Sequence, residues 1–251
     1  MKKIVPIILV LGLIANSFGA ITQDYYSPTA YGGVVSGATY SHTCSGTNRY
    51  LLVYVLEMII YPSASVTFNG VSVPLIAGPT YNPDNSMLLS IYGMAAPSVG
   101  TANVVVSLSG SSVLSTFATS WNGVNQTTPV EAIPSIYGQA NGTPFYSSSM
   151  TLASSASDMV TDFMCSRYAP TPTQNAGQTF LTSGTTFSTI NPAASSYIVG
   201  ASPSQTTGWT FPSCDDSIQG AVSMIAAASA PTALPFGSAG ATTGRVNGDA
   251  E

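Results

Sequence analysis

The feature that most constrains this chain is a short alternation of apolar and polar residues that stops at turn formers and then resumes. It is sharpest in ASVTFNGVSVPLI, residues 64–76. Val66 and Phe68 alternate with polar neighbours, Asn69-Gly70 follows, and Val71 and Val73 resume the pattern. A period of two turns one face of a strand toward a core. Asn-Gly accepts the positive φ angles of a type I′ turn, whose twist matches that of the paired strands. The segment therefore predicts a β-hairpin.

The same grammar recurs along the chain. Strands are expected over 87–94, 102–108, 113–121, 148–153, 158–165, 178–182, 195–201 and 217–226. SHTC, residues 41–44, reads as a strand, with Tyr40, His42 and Cys44 on one face. The SGTN turn joins it to the apolar run RYLLVYVLE, expected near a sheet centre. The stretch from Asn122 to Ser148 is rich in Gly, Pro and Asn and reads mainly as a connection. Residues 217–226 also fit a helix capped by Asp215 or Asp216. Gly220 would cost that helix about 1 kcal/mol relative to Ala, so the strand is preferred. No repeat at a solenoid period is present. About a dozen short strands with regular turn signals predict an all-β, two-sheet antiparallel sandwich.

Residues 1–20, MKKIVPIILVLGLIANSFGA, have the parts of a secretory signal. Lys2 and Lys3 precede an apolar run from Ile4 to Ala15, and small residues follow. The run is short for a membrane span. An uncleaved N-terminal anchor, a hydrophobic helix touching a membrane through residues 4–15, is the alternative. The expected organisation is a signal or anchor over 1–20, one sandwich domain over 21–229 and a tail over 230–251. Loss of the signal leaves 3 basic and 10 acidic residues, a formal charge of −7, and no lysine. Arg49, Arg167 and Arg245 are isolated, which argues against nucleic acid as a partner. Export permits a disulfide among Cys44, Cys165 and Cys214, with the pairing open. Three small apolar core fillers are the other reading.

SHTCSGTNRYLLVYV, VTFNGVSV, LSIYGMAAPSVGTANVVVSL and WNGVNQTTPV occur in an order that resembles a broad group of uncharacterised β-sandwich domains in exported bacterial and phage-associated proteins. The resemblance covers residues 35–228. It implies a jelly-roll-like sandwich at a cell or virion surface, and no catalytic motif.

The residues themselves offer little chemistry. His42 is the single histidine. On one strand its Cβ lies about 7 Å from that of Cys44, long for a dyad, and no orienting carboxylate is near in sequence. A zinc site would need Cys165 or Cys214 to join them. Asp158 and Asp162 share a strand face, but about 13 Å apart, too far for a glycosidase pair. Glu57 reads as a strand-end charge and Trp121 as packing at a strand end. Trp209, Asp215 and Asp216 in GWTFPSCDD are the candidate ligand-binding residues, with Ca²⁺ a possible ligand of the acidic pair. Tyr25, Tyr26, Tyr31, Tyr81, Tyr137, Tyr146 and Tyr168 all fall in expected loops. They suit either glycan recognition or lids over the sandwich ends.

Sheet edges are normally protected by lysine, other charge or proline. With 6% charged residues, this chain has little of that protection. The expected function is thus an exported, non-enzymatic structural or adhesive surface module, secreted or on a cell or virion surface, that binds copies of itself or surface glycans. A carbohydrate-binding module or a jelly-roll carbohydrate-active enzyme is the alternative.

Overall fold

The computed structural model describes residues 19–58, 63–131, 134–167, 172–185 and 192–228. The expected signal, the expected tail and Tyr168 lie outside these ranges, apart from Gly19 and Ala20. Among the described residues every regular element is a strand.

The first half of the chain supplies β1 (Thr22–Cys44), β2 (Tyr50–Met58), β3 (Ala64–Phe68), β4 (Val71–Val73), β5 (Leu75–Tyr81), β6 (Met87–Ala95) and β7 (Gly100–Asn122). They form one antiparallel sheet in the order β4-β3-β7-β2-β6-β5, with β1 also on β7. The expected hairpin is present as β3–β4. Asn69 and Gly70 take φ of 50° and 75°, as a type I′ turn requires. The second half supplies β8 (Ser135–Ala153), β9 (Met159–Arg167), β10 (Thr173–Gln174), β11 (Thr179–Thr185), β12 (Pro192–Val199) and β13 (Ser204–Met224). Their order is β10-β13-β9-β12-β11, with β8 also on β13.

Two expectations change here. The stretch read as a connection contains most of β8, which is ordered by pairing with β13. The jelly-roll expectation implies a chain that passes between sheets, whereas each sheet here is drawn from one half of the chain. The reason lies in two very long strands. β7 collects β1, β2 and β3, and β13 collects β8, β9 and β10, all from their own halves.

The sheets pack face to face on one core. Leu52, Tyr54 and Leu56 of β2, Leu89 and Ile91 of β6, Phe163 of β9 and Ile218 and Val222 of β13 lie in it. Gly220 lets the layers close, because a Cβ there would sit 2.8 Å from Leu89 and 2.9 Å from Ile91. A second core lies on the far side of the first sheet. It contains Leu51, Val53 and Val55 of β2, Phe68 of β3 and Val104 and Val106 of β7. β2 is therefore buried on both faces, which explains its continuous apolar run. β1 wraps around this core through register shifts at Ala30/Val34 and Val35/Gly37.

The two halves repeat one topology. β1, β2, β3, β5, β6 and β7 correspond in pairing to β8, β9, β10, β11, β12 and β13. β2 and β9 are nine residues each, and their middle residues are Tyr54 and Phe163. These two rings stack at 5.5 Å and 21°. Equivalent strands of the two halves thus meet through equivalent residues.

Candidate functional site

His42 answers to its strand. It is fully buried, as is Cys44, while Ser41 is exposed and Thr43 half-buried, so the expected alternation is present. The bend in β1 brings Ser27 Oγ to 3.1 Å from His42 Nδ1, and Ser27 donates to the Ser41 carbonyl. Tyr25 and Phe68 meet the imidazole edge-on at 5.5 and 6.3 Å. Burial pushes its pKa down to about 4, against a smaller opposing pull from Asp24. Burial acts on Asp24 in the raising direction, but bonds from Ser45 and Ser120 outweigh it and hold that carboxyl below its ordinary value. Nucleophile, base and orienting acid are not linked in one chain here. Cys44 packs in the outer core of the first sheet, and burial pushes its thiol up to about 11.

The three cysteines are free and buried. Cys44, Cys165 and Cys214 belong to three different apolar clusters, which leaves no pair to bridge. The core-filler reading of these residues fits the structure.

Trp209 is corrected from a loop ring to a buried one. It lies in β13, fully buried, against Phe180 at 6.3 Å. Its Nε1 donates to Asp162 Oδ2 at 2.8 Å. Asp162 is the centre of the densest polar cluster in the described chain. Its Oδ2 also accepts from Thr207 Oγ1 at 2.5 Å and Gln219 Nε2 at 2.9 Å. Its Oδ1 accepts from the Ser196 backbone N–H at 3.1 Å and from Ser196 Oγ at 2.7 Å. Two glutamines extend the network. Ser148 Oγ donates to Gln219 Oε1 at 2.8 Å. Gln178 Nε2 donates to Ser196 Oγ at 2.6 Å and Gln178 Oε1 accepts from the Gly208 N–H at 2.8 Å. Asp162, Ser196 and Gln219 have no exposure, and Gln178 is half-buried.

The position of Asp162 follows from strand geometry. β9 is buried on both faces, like β2. Phe163 and Cys165 enter the central core, so Asp162 turns to the far side. There the first part of β13, with Thr207 and Trp209, folds over it. Burial raises the Asp162 pKa, and the donated bonds from Thr207, Ser196, Trp209 and Gln219 oppose that rise. Sequence reading considered Asp162 only as a partner for Asp158. The missed signal was a carboxylate inside the apolar run MVTDFMC, since a buried charge must find donors.

Asp215 and Asp216 lie within β13 and not in a loop. They diverge. Asp215 is exposed, while Asp216 is buried and paired with Arg167 at 3.4 Å. Burial raises the Asp216 pKa, as does neighbouring Asp84, with Arg167 opposing. A cation already sits beside the carboxylate proposed for Ca²⁺. Among the described residues no group of three or more His, Cys, Asp or Glu is placed to hold a metal.

Glu57 is corrected from a strand-end charge to a buried one. It is 1% exposed, faces the outer core between Leu88 and Leu114, and leaves Oε2 without a hydrogen bond. Burial raises its pKa to about 7. An acid raised in the folded state loses stability as pH climbs from its unfolded value to its folded one. Stability should therefore fall between about pH 4.5 and 7 on this account. His42 acts oppositely, since its depressed pKa costs stability as pH falls from about 6.5 toward 4. Glu57→Gln should remove the Glu57 part of the falling slope and keep the His42 slope, so that its urea midpoint gains on the parent's progressively from about pH 5 to 7. A variant whose midpoint falls across pH 5–7 as steeply as the parent's would show that Glu57 is not a source of the slope.

Tyr25, Tyr26, Tyr81, Tyr137 and Tyr146 are exposed, but on strands and not loops. Tyr31 lies within β1. Trp121 is fully buried in the central core, edge-on to Tyr197 at 5.3 Å. An open hollow of about 500 Å³ beside the β3–β4 turn is lined by uncharged residues, among them Thr67, Asn69, Thr101 and Asn103. It offers no acid, base or nucleophile activated by one. Compared with known proteins, the chain matches no family, no curated protein and no solved structure.

Proposed function

We propose that this chain is an exported, non-enzymatic β-sandwich that serves as a structural or adhesive module on a cell or virion surface and associates with its own copies. One observation carries the reading. β1 and β8 are 23 and 19 residues long, and among the described residues each pairs with a single neighbouring strand. Between them they carry one charged residue, Asp24. Long edges without charge are templates for pairing with another chain. Their equivalent places in the two sheets give each copy two such edges, enough to propagate an assembly.

Native mass spectrometry and particle imaging of the secreted protein test this. Higher-order species are expected, and Ser41→Lys combined with Thr151→Lys, at exposed positions of the two edges, should shift them to monomer. A parent protein that stays monomeric at high concentration would sink the assembly reading.

Glycan binding has separate support. The rings of Tyr25 and Tyr26 lie 6.5 Å apart at 27°, with 47% and 41% exposure. Stacked exposed rings suit sugar faces. Binding on a glycan array that Tyr25→Ala and Tyr26→Ala both abolish would favour this role, and an array without signal would remove it.

A further inference from the structure

We propose that Ser196 and Gln178 join in an intramolecular ester, because the Ser196 hydroxyl lies against both the Asp162 carboxylate and the Gln178 carboxamide. Acyl transfer needs a nucleophile, a base beside it, an acyl carbon in reach and a donor for the developing oxyanion. All four are present. Ser196 Oγ donates to Asp162 Oδ1 at 2.7 Å. Gln178 Nε2 is 2.6 Å from the same Oγ. The carboxamide carbon is one bond further, within about 4 Å of the nucleophile. Rotation about the Gln178 Cγ–Cδ bond turns the carboxamide face to the oxygen. Before that rotation Gln178 Oε1, the atom that gains charge, lies 2.8 Å from the Gly208 N–H, the donor nearest to it.

The step balances without a further reactant. Asp162 takes the Ser196 proton as the Oγ–Cδ bond forms. Negative charge collects on Oε1 under the Gly208 N–H. The C–Nε2 bond then breaks, the nitrogen takes the proton from Asp162, and ammonia leaves. Nothing is oxidised or reduced. Burial raises the Asp162 pKa, which suits a group that takes a proton, and the donated bonds limit that rise. Ser196 and Asp162 are fully buried, which keeps water from the ester. Gln178 is half-buried beside exposed Gly177 and Thr179, which gives ammonia a way out. Its dilution into solvent draws the exchange forward.

The bond would fasten the residue just before β11, the last strand of its sheet, to β12. The cysteines cannot supply such a link, since they lie in separate clusters. The inference is independent of the assembly reading.

Mass spectrometry of the full chain decides it. Trypsin cleaves after Arg167 and Arg245, and the fragment 168–245 contains both residues and no Asn-Gly pair that would lose ammonia by itself. The fragment is expected about 17 Da below its sequence mass, the loss of one ammonia. Chymotryptic cleavage between positions 178 and 196 should yield two peptides still joined. Mild alkali should separate them and leave a carboxylate at position 178. Ser196→Ala and Gln178→Met, each with the parent's circular dichroism, should show the full mass. A folded parent protein whose fragment keeps its full mass after prolonged incubation overturns the proposal. So does an ammonia loss that maps to another pair, such as Ser148 and Gln219.

Discussion

Asp162→Ala is expected to lower stability by about 3–5 kcal/mol, read as a shift of the urea midpoint at unchanged slope. The change removes the one acceptor shared by Ser196, Thr207, Trp209 and Gln219. Each of those donors is buried. A buried donor left without a partner costs about 1–3 kcal/mol, and several are orphaned together. The sum is smaller than a simple addition, because neighbouring donors relax jointly. Asp162→Asn keeps the size of the side chain but turns an NH₂ toward donors. Its loss should be intermediate, about 2 kcal/mol. Ser196→Ala separates the two roles of the cluster, since it removes the hydroxyl while leaving Thr207, Trp209 and Gln219 on the carboxylate. A loss under about 1 kcal/mol for Asp162→Ala would mean that water replaces the carboxylate and that the cluster is not what holds β13 over β9.

Phe163→Ala should cost a similar amount, about 3–5 kcal/mol, by a different route. Phe163 stacks on Tyr54 at 5.5 Å and on Phe117 at 6.3 Å and 25°. Tyr54 and Phe117 are themselves 6.1 Å apart. The three rings sit where the sheets meet, so truncation opens a cavity in the contact that unites the two halves. Val53→Ala is the matched control. It lies one residue from Tyr54 but in the outer core of the first sheet, and it should cost about 1–2 kcal/mol without loosening the halves. Limited proteolysis between the halves, around residues 123–131, should accelerate in Phe163→Ala and not in Val53→Ala. Equal rates in both would show that the aromatic stack does not hold the sheets together.

Local signals in the sequence were read well where local physics decides. Asn69-Gly70 closes its hairpin by backbone preference alone. The apolar run of β2 announces a strand buried on both sides, and β2 is interior to its sheet. The failures share one cause. Eight of the 19 residues of β8 are Gly, Pro, Ser or Asn, which have no strand preference, and it is ordered by β13, 51 to 86 residues on. β1 likewise depends on β7. Trp209 stands between Gly208 and Pro212, so its surroundings resemble a loop. Its burial depends on Asp162, 47 residues earlier. Windows of ten residues hold the hairpins and central strands, but not partners that meet only when a long strand bends back.

The stack of Tyr54 on Phe163 joins two sheets of one topology on a single chain. A true homodimer must repeat every residue on both sides of its axis, so a change useful on one side is imposed on the other. Two copies of a topology on one polypeptide escape that rule. The fourth residue of β2 is Val53, and the fourth of β9 is Asp162. One layer is sealed by an aliphatic side chain, and its counterpart by a carboxylate with its circle of donors. At this position the first half packs aliphatic side chains, while the second gathers hydroxyls, carboxamides and an acid in one dry place.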